Sequence, residues 1–120
     1  MRKLTLILSL VFTVTLFVPS FAFGLTRDDL VERDGLHYKK FTDVPFTGKV
    51  TGRIQASFKN GKHHGPFVSY HKNGQLQFKG TFKDDKMHGP WVSYTKDGTV
   101  EKIITGTWKD GVKVKYKAFR

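Results

Sequence analysis

Histidine is the residue type of this chain most able to bind a metal ion. His63, His64 and His88 fall at predicted turns, whereas His37 and His71 lie elsewhere. His64 and His88 hold matching places in a 24-residue repeat. A regular meander would set them two strands, or roughly 10 Å, apart, whereas zinc binds nitrogen at about 2 Å. The chain has no cysteine, so we expect no metal site and no cofactor, and we interpret these histidines as polar turn residues.

Serine and carboxylate side chains are the other groups that could react. Ser69 and Ser93 occupy equivalent repeat positions, which favours a structural role over a unique nucleophile. Most acidic residues of the repeats fall in turns, where aspartate is common for backbone reasons, and Glu101 stands alone. The turn acids are Asp84, Asp85, Asp97 and Asp110. No carboxylate pair has a spacing that suggests acid–base chemistry, so we predict that the protein is not an enzyme.

Recurring aromatic and lysine residues are the better candidates for function. In a single-layer sheet the rings mainly form the core. Because no second layer covers them, some rings stay half exposed beside lysine, which is typical of a binding surface. Lys79 and Lys83 alternate onto the face opposite Phe78 and Phe82. Nucleic acid suits such a surface but is an improbable partner for an exported chain. The candidate binding surface comprises Phe67, Trp91, Tyr94, Trp108, Lys59, Lys79, Lys83 and Lys109.

An internal repeat positions these residues. Residues 57–70 return as residues 81–94 at an offset of 24, and an insertion near Lys102 and Ile103 changes the offset to 26, so that residues 80–84 return as 106–110. Aromatic residues replace aromatic residues, and Asn replaces Asp before Gly. Self-similarity at this period is typical of repeat architectures.

Each repeat has the pattern of a β-hairpin. Residues 75–82 alternate apolar and polar side chains, which indicates a half-buried strand, and Asn/Asp-Gly steps such as Asn73-Gly74 favour tight turns. Gly80 and Gly106 leave room for a neighbouring ring to lie across the backbone. Gly65-Pro66 and Gly89-Pro90 are expected to open short strands, 68–70 and 92–94. We predict an all-β fold, one elongated antiparallel sheet built as a meander of hairpins.

The segment from Phe78 to Trp91 carries a family resemblance. It reads Phe78-x-Gly80-x-Phe82-x-x-Asp85-Lys86-x-His88-Gly89-x-Trp91 and resembles the MORN repeat in a bacterial variant, the YwqK-type antitoxin family. Asp85 and Ala56 depart from the glycines of that pattern. The resemblance implies an elongated twisted sheet of MORN-like hairpins with an interaction role; the alternative it raises is an antitoxin or immunity protein that neutralises a cognate toxin.

The first 24 residues have the three parts of a secretory signal peptide. A basic start, residues 1–3, precedes an apolar run, residues 4–18, and small residues allow cleavage near Ala22 or Gly24. The run is shorter than the roughly 20 residues of a spanning helix, although a retained anchor is the alternative. We expect a secreted or periplasmic protein that does not span the membrane after cleavage.

Charge and organisation follow once residues 1–24 are set aside. The whole chain carries a formal charge of +11, and removing Arg2 and Lys3 leaves 21 − 2 = 19 basic against 10 acidic residues, or about +9. We predict an acidic segment with a leading hairpin at 25–53 and a MORN-like repeat sheet at 54–120. The basic repeats favour a protein partner or an anionic surface, phospholipid or acidic polysaccharide. Residues 112–117 alternate apolar residues with lysine, as in a protected sheet edge, which predicts a monomer.

Overall fold

The computed structural model describes residues 24–115 and confirms the all-β prediction. A 3-10 turn at Arg27–Asp29 precedes ten strands. The strands are β1 (Leu30–Arg33), β2 (Leu36–Lys39), β3 (Gly48–Val50), β4 (Ile54–Lys59), β5 (Lys62–Tyr70), β6 (Leu76–Lys83), β7 (Lys86–Met87), β8 (Gly89–Ser93), β9 (Gly106–Lys109) and β10 (Val112–Lys113). In the part of the chain so described, no helix is long and apolar enough to cross a membrane. The predicted signal peptide, apart from Gly24, lies outside these residues.

One antiparallel sheet of eight strands contains all the repeats. Its order is β10-β9-β8-β6-β5-β4-β3, with β7 also paired to β6, so that successive hairpins extend the sheet in one direction. The predicted boundary between residues 53 and 54 falls inside this sheet, in the turn that joins β3 to β4. The leading hairpin, β1 with β2, forms a separate two-stranded sheet.

The hairpin turns, which lie at the ends of the strands, form the two long edges of the sheet. The turns of one such edge differ in geometry from those of the other. One edge has two-residue turns in which both residues have positive φ, as in Asn60 (50°) and Gly61 (84°). Such type I′ turns match the twist of the strands. We call this edge the primed edge; its turns in the large sheet are 60–61, 84–85 and 110–111.

The other long edge has three-residue loops, although its sequence also reads Asn/Asp-Gly. His71 N donates to Gln75 O (2.8 Å) and Gly74 N donates to His71 O (2.9 Å), while Gly74 has positive φ (87°). The loop at 96–98 repeats this pattern. The predicted turn positions are therefore correct, but here only the glycine has positive φ.

Two strand boundaries differ from the sequence prediction. Gly65 and Pro66 do not open a strand, because β5 runs unbroken from Lys62 to Tyr70 past an irregular register with β4. Gly89 does open β8. The end of the predicted edge, residues 116–117, lies outside the described residues, and β10 itself is only Val112–Lys113.

Rings collect on one face of the sheet, which we call the ring face. Its core lies at the N-terminal end, where the leading hairpin packs against the sheet and His37 N donates to Gly61 O (2.8 Å). That core comprises Leu30, Val50, Ala56 and Phe58, with Leu25, Phe46, Ile54 and Phe67 packed against it.

The insertion forms a turn of its own before β9. The Glu101 carboxylate accepts hydrogen bonds from the backbone N–H groups of Ile103 (2.7 Å) and Ile104 (3.0 Å). The Lys113 ammonium donates to the carbonyls of Lys102 (2.7 Å) and Ile103 (3.3 Å). The insertion is thus held at both sides and leaves the sheet continuous.

Candidate binding surfaces

His63 lies inside the ring face and is not the turn residue that we predicted. Its imidazole centroid is 4.4 Å from that of Phe58 and 4.9 Å from that of Phe82. Burial and the neighbouring His37 lower the pKa of His63 to about 4. Because burial disfavours the charged form, the imidazole is neutral at neutral pH, and His63 belongs to the core there.

His64 and His88 form the same contact in successive repeats. His64 Nδ1 lies 3.5 Å from a carboxylate oxygen of Asp84, and His88 Nδ1 lies 3.9 Å from one of Asp110. Each histidine lies beside the primed-edge turn of the next hairpin. His64 belongs to β5 and His88 lies between β7 and β8, so neither is in the turn that we predicted for it. Within residues 24–115 no three His, Cys, Asp or Glu side chains are grouped so that they could hold a metal ion.

Both strand serines are buried and lie within the sheet's hydrogen-bond network. The Ser69 hydroxyl donates to Gln77 Oε1 (3.3 Å). Ser93 N donates to the Thr105 hydroxyl (2.9 Å), which in turn donates to Ser93 O (3.3 Å). These contacts give both serines a structural explanation.

The four predicted aromatic residues are not equally accessible. Trp91 is only 5% exposed, so this ring belongs to the core and cannot be the exposed contact that we expected. Its indole N–H donates to Thr81 O (2.9 Å). Phe67 packs edge-on against Phe82 at 5.3 Å. Phe67, Tyr94 and Trp108 remain half-buried.

The four predicted lysines are exposed, but they lie on the face opposite the rings. Lys79 and Lys83 alternate with Gly80 and Phe82 along β6. Lys59 and Lys109 follow Phe58 and Trp108 in the same way. The structure therefore divides the eight predicted residues between two faces and does not bring rings and lysines together.

Strand register adds two lysines that the sequence analysis missed. Lys62 lies directly opposite Lys59 across one primed-edge turn, and Lys86 lies opposite Lys83 across the next. Residues that flank a two-residue turn always face each other, so the hairpin pattern contained this signal. The five residues that we call the lysine row are Lys59, Lys62, Lys83, Lys86 and Lys109.

The lysine row has no anionic partner in the described structure. None of the ion pairs within residues 24–115 involves a lysine. The neighbouring carboxylates contact other groups. Asp84 and Asp110 contact histidines, and Asp85 accepts a hydrogen bond from His63 N (2.7 Å). At about 4.8 Å per strand, five lysines on successive strands span roughly 20 Å.

A shallow groove lies beside the lysine row on the same face. It has a volume of about 420 Å³ and is bordered by Pro66 and Val68 on one side and by Pro90 and Val92 on the other. Lys79 and Thr81 point outward from β6, which runs between these two borders. The face opposite the rings thus combines apolar ridges with a row of cations.

The sheet geometry agrees with the family comparison. The family model described as MORN repeat variant matches residues 64–84, a segment that covers most of β5, the loop after it and β6. This match supports the MORN-repeat resemblance and the general interpretation of the chain as a β-repeat binding module. No curated protein and no solved structure matches the chain.

Proposed function

We propose that the mature chain is an exported, non-enzymatic binding module that attaches to an anionic surface through the lysine row. The surface is one of phospholipid headgroups or acidic polysaccharide. The observation that carries this proposal is the set of two cross-strand lysine pairs, Lys59 with Lys62 and Lys83 with Lys86, without carboxylate partners in the described chain.

Electrostatic repulsion within these lysine pairs supports the proposal. Like charges directly opposite each other on neighbouring strands destabilise a sheet. An anionic surface would relieve that repulsion, and each lysine near such a surface contributes about 1 kcal/mol of attraction. With 21 − 2 = 19 basic and 10 acidic residues the mature chain carries about +9, so its long-range field acts in the same direction.

A regular row suits a surface better than a small ligand. The lysines follow a line across the sheet, one per strand. All are exposed, and the row is therefore open along its length. The apolar groove beside them supplies a second contact for lipid or sugar. The candidate residue Trp91 lines the floor of this groove but offers almost no exposed surface, since it is only 5% exposed.

Co-sedimentation of residues 25–120 with lipid vesicles tests the proposal. We expect retention on vesicles that contain phosphatidylglycerol, and none on pure phosphatidylcholine. Retention should fall steeply with salt, because the Debye length shortens from about 30 Å at 0.01 M to about 8 Å at 0.15 M. Beads carrying an acidic polysaccharide form the parallel arm. Retention on neither anionic material at low salt would contradict the proposal.

Export is tested separately on the full-length chain. Expressed in a bacterial host, it should lose its signal peptide and leave the cytoplasm. Mass spectrometry of the exported product should give an N-terminus at Phe23 or Leu25. A product that keeps Met1 and residues 4–18, found in the membrane fraction, would support the retained anchor instead.

A further inference from the structure

We infer that a second site, on the long edge opposite the lysine row, binds a phosphate or sulfate group of a small molecule. The site is a pocket of about 450 Å³, within the roughly 300–1,000 Å³ range of small-molecule sites. Its lining residues are Arg53, His71, Lys72, Asn73, Gln77 and Lys96. It shares no residue with the lysine row or with the apolar groove.

Three cations converge on this pocket without a counter-ion. Arg53, Lys72 and Lys96 are exposed, and none of them takes part in an ion pair within residues 24–115. An arginine with two lysines is the set of donors that recognises a multiply charged oxyanion. No acidic side chain lines the pocket.

The two carboxylates of the neighbouring loops are engaged elsewhere. Asp97 accepts hydrogen bonds from the Thr95 hydroxyl and from Thr99 N (3.2 Å), and these bonds lower the pKa of Asp97. Glu101 accepts from two backbone N–H groups of the insertion turn. Both carboxylates remain charged, but neither lines the pocket, and neither forms an ion pair with Lys72 or Lys96 within residues 24–115.

Hydrogen bonds fix the relative positions of the loops that carry these three cations. Asn73 Nδ2 donates to Lys96 O (2.8 Å), while Asn73 Oδ1 accepts from Gln75 N (2.9 Å), so this side chain joins two successive loops. Tyr70 N donates to Arg53 O (2.9 Å) and ties the third loop to the same strand end. The spacing between Lys72 and Lys96 is thereby set by the fold.

The polar lining also presents donors. His71 Nε2 lies 2.8 Å from Tyr94 O, and since a carbonyl can only accept, Nε2 carries the proton and this bond holds the imidazole in place. Gln77 Oε1 accepts from the Ser69 hydroxyl, which leaves the Gln77 amide N–H groups as donors. A phosphate or sulfate group in the pocket would meet three cations and the Gln77 amide, and no carboxylate lines the pocket to repel it.

Titration of ¹⁵N-labelled residues 25–120 with inorganic phosphate, and separately with sulfate, tests the site by NMR. Sodium chloride at matched ionic strength is the reference. We expect saturable shifts confined to residues 53, 71–73, 77 and 96, and comparison of the two anions assigns the preferred group. Shifts spread evenly over the lysines of both edges, or the same shifts with chloride, would overturn the inference.

Paired variants make the result specific. Arg53→Gln and Lys96→Gln should each weaken binding about tenfold, since each removes a charged hydrogen bond. Lys59→Gln and Lys83→Gln remove equal charge from the lysine row and should leave the affinity within about twofold. Equal losses for all four would contradict a discrete site. Because the row variants bear on the proposed function alone, failure of one idea does not decide the other.

Discussion

The indole of Trp91 lies across the backbone of Gly80 so closely that a Cβ on Gly80 would come within 2.1 Å of indole Cδ2. The equivalent pair one repeat earlier is Ala56 with Phe67, which are register partners on β4 and β5. Glycine thus lies opposite the larger ring, that of Trp91, and the slightly larger alanine lies opposite the smaller ring, that of Phe67. This relationship confirms that Gly80 is glycine because a ring needs its space. For Gly106 the same prediction was wrong, because a Cβ there would meet Lys113 Cε at 2.6 Å and no ring.

Gly80→Ala should therefore lower the free energy of unfolding by about 1–3 kcal/mol, the range for overpacking a filled site. The φ of Gly80 is not in the left-handed region, so the cost is steric alone. Urea denaturation measures it. The double variant Gly80→Ala/Trp91→Phe copies the Ala56–Phe67 pair and should lose less than the sum of the two single variants. Strict additivity would contradict this account.

Asp85 shows how the chain tolerates a departure from the repeat pattern. It has a positive φ of 67°, where the equivalent turns have Gly61 and Gly111. Its carboxylate accepts a hydrogen bond from His63 N (2.7 Å), and its own N–H donates to His63 O (2.9 Å). The side chain that makes the turn unfavourable thus joins it to the preceding hairpin.

Asp85→Ala keeps the strain and loses the acceptor, so we expect a loss of about 1–3 kcal/mol in the free energy of unfolding. Asp85→Asn keeps an acceptor and a residue that tolerates positive φ, and it should lose less than half as much. Thermal unfolding of both variants gives the comparison. Equal stability of Asp85→Ala and wild type would show that the carboxylate contact contributes nothing.

His63 should make the stability of the protein depend on pH. Its pKa is about 4 in the folded chain against 6.5 as its ordinary value, so the unfolded chain binds the proton more readily. Stability from this group is complete above pH 6.5 and is lost as the pH falls toward 4. Burial lowers this pKa most, His37 and Arg27 lower it further, and Asp85 and Glu32 raise it.

Urea denaturation midpoints at pH 7.5, 6 and 5 test this dependence, because these pH values lie on both sides of the ordinary histidine pKa of about 6.5. Wild type should lose stability across that range, and His63→Phe should lose markedly less. Lys62→Gln, which alters an exposed neighbour on the opposite face, is the control and should lose stability in parallel with wild type. A parallel decline in His63→Phe would assign the pH dependence to other groups.

The lysine row implies a conflict between stability and binding. Lys86 faces Lys83 across a turn, with no carboxylate partner in the described residues. Lys86→Thr should raise the free energy of unfolding by up to about 0.5 kcal/mol, because it removes a like-charge cross-strand pair. The same variant should bind anionic vesicles more weakly. If Lys86→Thr were destabilising, the two lysines would not repel each other in the folded chain.

Much of the fold could be predicted from the sequence, because alternation and Asn/Asp-Gly steps are local signals. The hairpins, the glycine beneath a ring and the lysine-bearing face all follow from residues near one another in the chain. Turn geometry was less accessible, since Asn60-Gly61 and Asn73-Gly74 look alike but differ in loop length. Burial of Trp91 and His63 depends on rings from other strands, which no local pattern contains.

The candidate sites were predicted only in part for the same reason. Lys59, Lys83 and Lys109 were visible as repeat positions, whereas Lys62 and Lys86 required the register. The pocket at Arg53, Lys72 and Lys96 joins three loops that lie far apart in sequence. No carboxylate lines this pocket, and that arrangement appears only in three dimensions.

The most direct test of the lysine row compares two variants of equal charge. Lys59→Gln/Lys83→Gln/Lys109→Gln removes three lysines from the row, and Lys40→Gln/Lys102→Gln/Lys115→Gln removes three exposed lysines from elsewhere. Affinity for phosphatidylglycerol vesicles is measured for both at one salt concentration. We predict that the row variant loses about tenfold or more, while the control variant loses about threefold or less. Equal losses would mean that net charge alone attracts this protein to the surface, and the account of the lysine row would be wrong.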